Sequence, residues 1–236
     1  MSENKPALIH ISHLNKNYGS LAALKDFSVD ISSGGIVGLL GPNGSGKTTL
    51  IKILNGLLKD YSGEVLINGH QPDAYTKSIV SYLPDEPSFA GWMKAKDAIH
   101  LFQDMYADFD LDTCHKLMQR MGLQEEMPVK EMSKGMKDKF SLVLVMSRKA
   151  MIYILDEPIG GVDPATRELI MDTILSNYSE NSLILFSTHL ISDIERVFDK
   201  VLLIRNGEKV VFQDAEELRQ EQKESVNDYF KEIFKC

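Results

Sequence analysis

The chain is poor in cysteine, short of basic charge and without a long hydrophobic run, and each shortage excludes something. Its 236 residues include two cysteines, Cys114 and Cys236. They form no disulfide framework and no metal-ligand spacing. A reducing, cytoplasmic compartment is the simplest reading. Lysine and arginine total 26 against 34 acidic residues, a net charge of −8. No basic stripe offers a footprint for a phosphate backbone, so no nucleic-acid partner is expected. No stretch reaches the roughly 18 consecutive apolar residues of a membrane span. The longest apolar runs, Leu142–Met146 and Met151–Leu155, have the length of a strand or a core helix. Met1–Ala7 is polar and carries no signal-peptide core. If the protein works at a membrane, another chain must supply the membrane part.

What is present is ordinary globular material. Apolar residues make up 43% of the chain, enough Leu, Ile and Val for a sizeable core. Leu8–Ile11 and Phe27–Ile31 alternate apolar and polar residues, as half-buried strands do. Ile36–Leu40 is a short apolar run ending in glycine and reads as a buried strand. Gly63–Ile67 follows, closed by the Asn68-Gly69 turn. Ile79–Leu83 is strand-like, and Pro84 stops it. From Ala95 to about Met146 the pattern turns helical, with Ala98, Leu101, Phe102 and Met105 at three- and four-residue spacings. Buried strands resume at Ile152–Leu155, Leu183–Phe186 and Val201–Ile204, with Asn206-Gly207 turning into Val210–Phe212. Strands alternating with helices predict an α/β fold with a mainly parallel sheet. Ala215–Phe234 reads as a charged amphipathic helix or helix pair.

The strongest signal is Gly41-Pro42-Asn43-Gly44-Ser45-Gly46-Lys47-Thr48, a full G-x-x-x-x-G-K-[ST] match. It follows the strand Ile36–Leu40 and precedes the helical run Leu50–Leu57, the context the motif requires. Glycines let the backbone curl so that its N–H groups point inward at phosphate. The following helix adds its positive end. Lys47 is expected to reach the β- and γ-phosphates, and Thr48, followed by Thr49, to bring a hydroxyl to Mg²⁺.

A second signal is the apolar strand Ile152–Leu155 ending in Asp156 and Glu157. On its own, a buried strand that ends in an acidic turn is unremarkable. Downstream of a phosphate loop, Asp156 is placed to hold Mg²⁺ through water and Glu157 to orient or deprotonate the attacking water.

With these motifs the chain resembles the ATP-binding cassette family over nearly its whole length, from Leu8 to about Phe212. Tyr18 stands where that family stacks an aromatic on adenine. Met132-Ser133-Lys134-Gly135-Met136 is similar to the signature loop, which in that family contacts the γ-phosphate of the opposite subunit through Ser133 and Gly135. Gly160-Gly161-Val162-Asp163 resembles the loop that crosses the dimer seam. His189, after Ser187-Thr188, matches the switch histidine on the γ-phosphate. The resemblance implies a P-loop NTPase core with a small antiparallel β subdomain and an inserted helical subdomain. It implies ATP and Mg²⁺ as ligands, and catalytic roles for Lys47, Glu157 and His189. It also implies a homodimer or heterodimer of cassettes driving a separate transmembrane permease from the inner face of the cell membrane.

Two departures stand out. The family's Leu-Ser-Gly-Gly-Gln is here Met-Ser-Lys-Gly-Met, so Lys134 adds a charge and Met136 removes an amide. The glutamine expected after Tyr82-Leu83-Pro84 is replaced by Asp85, which brings a charged oxygen to the metal instead. The Ser-Lys-Gly-Met form resembles a bacterial exporter branch. The expected division is 1–88 with 147–213 for the ATP-binding core, 89–146 for the helical subdomain and 214–236 for the tail. Phe89, Trp92 and Met93 serve either a membrane partner or packing between subdomains. The stripe Val226, Tyr229, Phe230, Ile233 and Phe234 is expected to pack on its own domain. His10, His13, His100 and His115 show no partner pattern, and Glu216, Glu217 and Glu221 read as a solvated helix face.

Among rivals, a DNA-repair cassette would carry a long coiled coil between its motifs, and the interval from Asp85 to Ser133 is only about 50 residues. A translation-type protein would hold two cassettes, and each motif here occurs once. A P-loop kinase should lack the Ser133–Gly135 and His189 elements. A lone soluble cassette, such as an iron–sulfur assembly factor, is the alternative left.

Overall fold

The computed structural model describes residues 7–32, 34–179 and 181–234. Cys236 and all but the last residue of the Met1–Ala7 segment lie outside the described residues. Strands β1 (Ile9–Tyr18) and β2 (Leu21–Ile31) form an antiparallel hairpin. β3 (Gly35–Leu40) leads through the phosphate loop into helix α1 (Lys47–Leu54). β4 (Ser62–Ile67) returns to pair with β1, giving a three-stranded sheet in the order β2-β1-β4. The short α2 (Ala74–Ile79) precedes β5 (Val80–Leu83).

Helices α3 (Ala95–Met105), α4 (Leu111–Arg120) and α5 (Lys134–Met146) follow. Then come β6 (Ile152–Asp156), α6 (Pro164–Asn177), β7 (Leu183–Thr188) and the single turn α7 (Ile191–Ile194). β8 (Lys200–Arg205), β9 (Glu208–Asp214), α8 (Ala215–Gln222) and α9 (Val226–Phe234) complete the order. The second sheet has six strands in the order β5-β6-β7-β3-β8-β9, parallel except for the last pair.

The strand sequences explain this sheet. Val37, Leu39, Ile152, Ile154, Leu183 and Leu185 point to one face, where α1 and the small sheet pack. Ile36, Leu40, Tyr153, Leu155, Ile184 and Phe186 point to the other, under the helices of the 95–146 stretch and α6. A sheet covered on both faces needs apolar residues at consecutive positions, which is why these strands read as unbroken runs. Because β5, β6, β7 and β3 are parallel and in register, their carboxyl ends lie along one edge. Leu40 pairs with Thr188, Asp156 with Ser187 and Leu83 with Leu155. Ligands of open α/β sheets bind at this edge.

Some elements escape the sequence pattern. β1 and β2 run well beyond the expected Leu8–Ile11 and Phe27–Ile31. Register shifts after Ile11, Leu14 and Lys16 break the two-residue alternation. His13 and Asp26 sit at these irregularities with φ of +50° and +45°. The helix α2 has only six residues and takes Ile79 from the expected strand. Its signal is a cap, not a period: Asp73 Oδ1 accepts from Thr76 N at 3.0 Å and Thr76 Oγ1 from Asp73 N at 2.9 Å.

A buried arginine ties the helical stretch to the sheet. Arg148, 2% exposed, pairs with Asp108 through Nε at 2.9 Å and Nη2 at 3.1 Å. Nη1 donates to Val80 O at 2.6 Å and Nη2 to Ser78 O at 2.5 Å, at the junction of α2 and β5. The guanidinium lies 3.7 Å from the centre of the Tyr106 ring. The C-terminal helices dock as the stripe predicts: Val226 is fully buried, and Tyr229, Phe230, Ile233 and Phe234 pack against the core.

Candidate functional site

The phosphate loop is shaped by what surrounds it. Gly46 has φ of +111°, and a Cβ there would lie 2.6 Å from Ala23 O. Gly207, in the turn after β8, meets the same carbonyl at 2.7 Å with φ of +82°. Gly207 N donates to Ser45 O and Gly207 O accepts from Lys25 N, each at 2.9 Å. The Asn206-Gly207 turn, expected only to join two strands, therefore braces the phosphate loop against β2. That brace depends on tertiary approach, and the dipeptide alone reports only a turn.

The loop leaves donors facing a cleft. Gly46 caps α1 without a side-chain hydrogen bond, so the first amides of the helix stay open to a ligand. Ser45 Oγ is buried and has no hydrogen-bond partner among the described residues. Lys47 is buried, with Nζ donating to Gly41 O at 2.6 Å and Pro42 O at 3.3 Å. Burial lowers its pKa, against the pull of Glu157 and Asp156. A buried cation, an unpaired hydroxyl and open amides suit a polyphosphate.

The cleft has a volume of about 460 Å³. It is lined by Asn43 through Thr49, by Asp85, Glu157 and Asn206, and by Tyr18, Leu21, Ala22, Ala23 and Lys25 of the hairpin. Tyr18 is 46% exposed, and Lys16 Nζ stands 5.0 Å from its ring centre. The same cleft thus carries both an exposed aromatic ring and the phosphate-loop donors. The hairpin residues Leu21, Ala22, Ala23 and Lys25 are a contribution that the sequence pattern does not single out. Gly41 and Pro42 stand behind the loop, as acceptors for Lys47.

Asp85 and Glu157 line the same cleft, and Asp156 is buried within electrostatic reach of both and of Lys47. Asp156, 2% exposed, accepts from Ser187 Oγ at 2.6 Å. Its pKa is raised, first by burial and then by Asp85 and Glu157, with Ser187 and Lys47 opposing. Tyr82, on the strand beside Asp156, is pushed up to about 12 by burial and by the charges of Asp156 and Asp85. Acids that disfavour one another's charge in this way are relieved by a cation. Among the described residues no group of three His, Cys, Asp or Glu could hold a metal by itself. Mg²⁺ characteristically takes one or two carboxylates plus phosphate oxygens and water. Asp156, Asp85 and the Thr48 hydroxyl fit that pattern.

Glu157 is held in an uncommon conformation, with φ of +50°. Its N–H donates to both the backbone oxygen and Oγ of Ser187, each at 3.1 Å. Its Oε2 lies 2.9 Å from His189 Nδ1, and the His189 N–H points to the same oxygen at 3.4 Å. Strand β7 thus fixes Glu157 through Ser187, and the residue just after β7 meets its carboxylate.

Ser133 and Gly135 are not at this cleft. Ser133 is exposed at the start of α5, where its Oγ accepts from Met136 N at 3.2 Å. Lys134 Nζ stands 3.9 Å from where a Cβ of Gly161 would lie, so the 132–136 and 160–163 loops are neighbours within one chain. Phe89 packs on Phe140 with ring centres 5.3 Å apart, Met93 is buried, and Trp92 is 78% exposed. The three residues divide between packing and an open surface. His10 and His13 are surface residues facing Asp30 and Asp26.

A six-stranded mainly parallel sheet with a phosphate loop, an acidic pair on the neighbouring strand and a flanking antiparallel sheet defines an ATPase cassette. The family model described as "ABC transporter" matches residues 24–160. The chain is 36% identical over 207 residues to the uncharacterized ABC transporter ATP-binding protein YdbJ of Bacillus subtilis (strain 168), covering 85% of this chain and 67% of that protein. A solved ATP-binding subunit of an ABC transporter superposes with a TM-score of 0.87 at 24% identity, over 96% of this chain and 99% of that one. The cassette MJ0796, solved as a dimer in a post-hydrolysis state with ADP and Pi, gives 0.77 at 20% identity, over 87% and 98%. The chain belongs to the ABC transporter family, as an ATP-binding and ATP-hydrolysing subunit. Among the described residues no helix is long and apolar enough to cross a membrane.

Proposed function

We propose that two cassettes meet head to tail, each ATP being held by Lys47, Thr48 and the loop of one chain and by Ser133 and Gly135 of the other. The observation that supports this is the separation just described: Ser133 and Gly135 stand outside the cleft that gathers the phosphate loop, Asp85 and Glu157. A second copy can bring them to it, and a homodimer or a heterodimer with a related cassette serves equally. Tyr18 receives the adenine face. Asn43 to Thr49 wrap the phosphates, with Gly41 and Pro42 behind them holding Lys47.

Thr48, Asp85 and Asp156 would hold Mg²⁺, which would supply charge neutralisation on the phosphates. Glu157 takes a proton from the attacking water, and His189 holds the Glu157 carboxylate in place and reaches the γ-phosphate. ATP favours the closed pair because only that state contacts γ-phosphate from both sides.

The dimer works on the inner face of the membrane, driving a separate transmembrane permease, with exposed Trp92 beside the contact. The Ser133-Lys134-Gly135-Met136 form favours export. Pull-down of tagged protein from gently solubilised native membranes tests this reading. A stoichiometric polytopic membrane protein is the expected partner, and its own fold reports the direction of transport. Recovery of soluble partners alone, with the ATPase active, would overturn it.

A further inference from the structure

Two loops reach Glu157, and a single arginine joins them away from the cleft. Gly160 N donates to Glu157 O at 2.9 Å, which ties the 160–163 loop to the residue. Asp163 ends that loop as the cap of α6, its Oδ1 accepting from Thr166 N at 3.0 Å and its Oδ2 from Thr166 Oγ1 at 2.7 Å. One turn on, Arg167 Nε donates back to Val162 O at 3.2 Å. Its Nη1 pairs with Asp193 Oδ2 at 2.5 Å. Asp193 lies on α7, four residues after His189, and Asp193 N donates to Leu190 O at 3.4 Å. Ile191 and Ile194, both buried, fix that turn to the core. His189 closes the ring on Glu157 Oε2.

Arg167 and Asp193 are 29% and 39% exposed, and both line an open cleft of about 720 Å³ between α6 and α7. A pair so open to solvent contributes little to stability. Its effect is geometric: a planar guanidinium holds a loop carbonyl and a carboxylate in one plane. We propose that Arg167 is a positioning residue for hydrolysis, acting through Asp193 to set the His189 imidazole against the Glu157 carboxylate. The 160–163 loop and the His189 turn then move as one unit. The inference rests on the ATPase roles proposed for Glu157 and His189.

Steady-state ATP hydrolysis of Arg167→Met, Asp193→Asn and the double variant tests it, with Glu157→Gln as control. Each single change is expected to lower kcat about tenfold with KM for ATP within about twofold, since only the transition state needs the aligned pair. The double variant is expected to lose no more than either single one. Melting temperatures should stay close to that of the unchanged protein, and Asp193→Asn carries the test if Arg167→Met does not fold. Unchanged kcat in both single variants, independent losses that multiply, or a change in KM alone would overturn the proposal. If those results come with an inactive Glu157→Gln, the failure belongs to Arg167 alone. Full turnover by Glu157→Gln would instead remove the functional reading and this inference with it.

Discussion

At the scale of single residues, the proposed chemistry rests on how Glu157 and Asp156 are held. Glu157 sits at the carboxyl end of β6 with a left-handed backbone, pinned by Ser187 and met by His189. Replacing it with glutamine keeps the shape and removes the proposed base. Turnover measured by phosphate release should fall about 10²- to 10⁴-fold, while nucleotide binding, followed by fluorescence titration, persists. Asp156 makes a different prediction. Its folded-state pKa is raised by burial, so the folded chain binds that proton more tightly than the unfolded chain. Stability is then lost as pH rises from the usual carboxylate range through the raised value. Asp156→Asn should therefore melt higher than the unchanged protein at neutral pH, with the gain shrinking in acid, as a pH series of thermal melts would show. Equal melting at all pH values would contradict the assignment.

The residue scale is also where the sequence was most legible. Lys47, Thr48, Asp156 and Glu157 announce themselves because phosphate chemistry constrains both type and local context. Leu21, Ala22, Ala23, Lys25 and the bracing Gly207 did not, because they matter through tertiary approach to the loop, and nothing in their spacing records it. Arg167 and Asp193 were illegible for the same reason, being 26 residues apart and joined only by the fold.

At the scale of elements, the central strands were readable because both faces of the sheet are covered. Irregular strands were less so. The bulges in β1 break the alternation that marks a half-buried strand, so only its first residues stand out. The short α2 is fixed by a capping box and by its junction with Arg148, not by a periodic face. That junction carries a stability prediction. Asp108→Ala leaves the Arg148 guanidinium buried with its charge uncompensated, and the expected loss is about 3 kcal/mol. Urea unfolding measures it. A loss below about 1 kcal/mol would place the pair with solvent-screened surface contacts. The C-terminal helices are held to the turn after His189 as well as to the core. Arg219 Nη2 donates to Glu195 O, and Asn227 N to Glu195 Oε2 at 2.9 Å. The tail is thus part of the packing around that turn.

At the scale of the whole molecule, Ser133 and Gly135 stand outside the cleft of the phosphate loop, and the proposed function makes them the second part of a shared site. The parallel strands bring phosphate loop, acids and His189 to one edge, whereas Ser133 opens α5 elsewhere. Only the family resemblance suggests such a division, because spacing along a chain says nothing of contacts between chains. Two copies arranged head to tail would complete two sites at once, which is the central claim. The most direct test is the mass in solution of Glu157→Gln by light scattering, with Mg²⁺ and with ATP added or omitted. The account predicts twice the chain mass with ATP, reverting to the single-chain mass without it, and no such dimer when Ser133→Arg is added. A single-chain mass under all conditions, or a dimer indifferent to both ATP and Ser133→Arg, would contradict it.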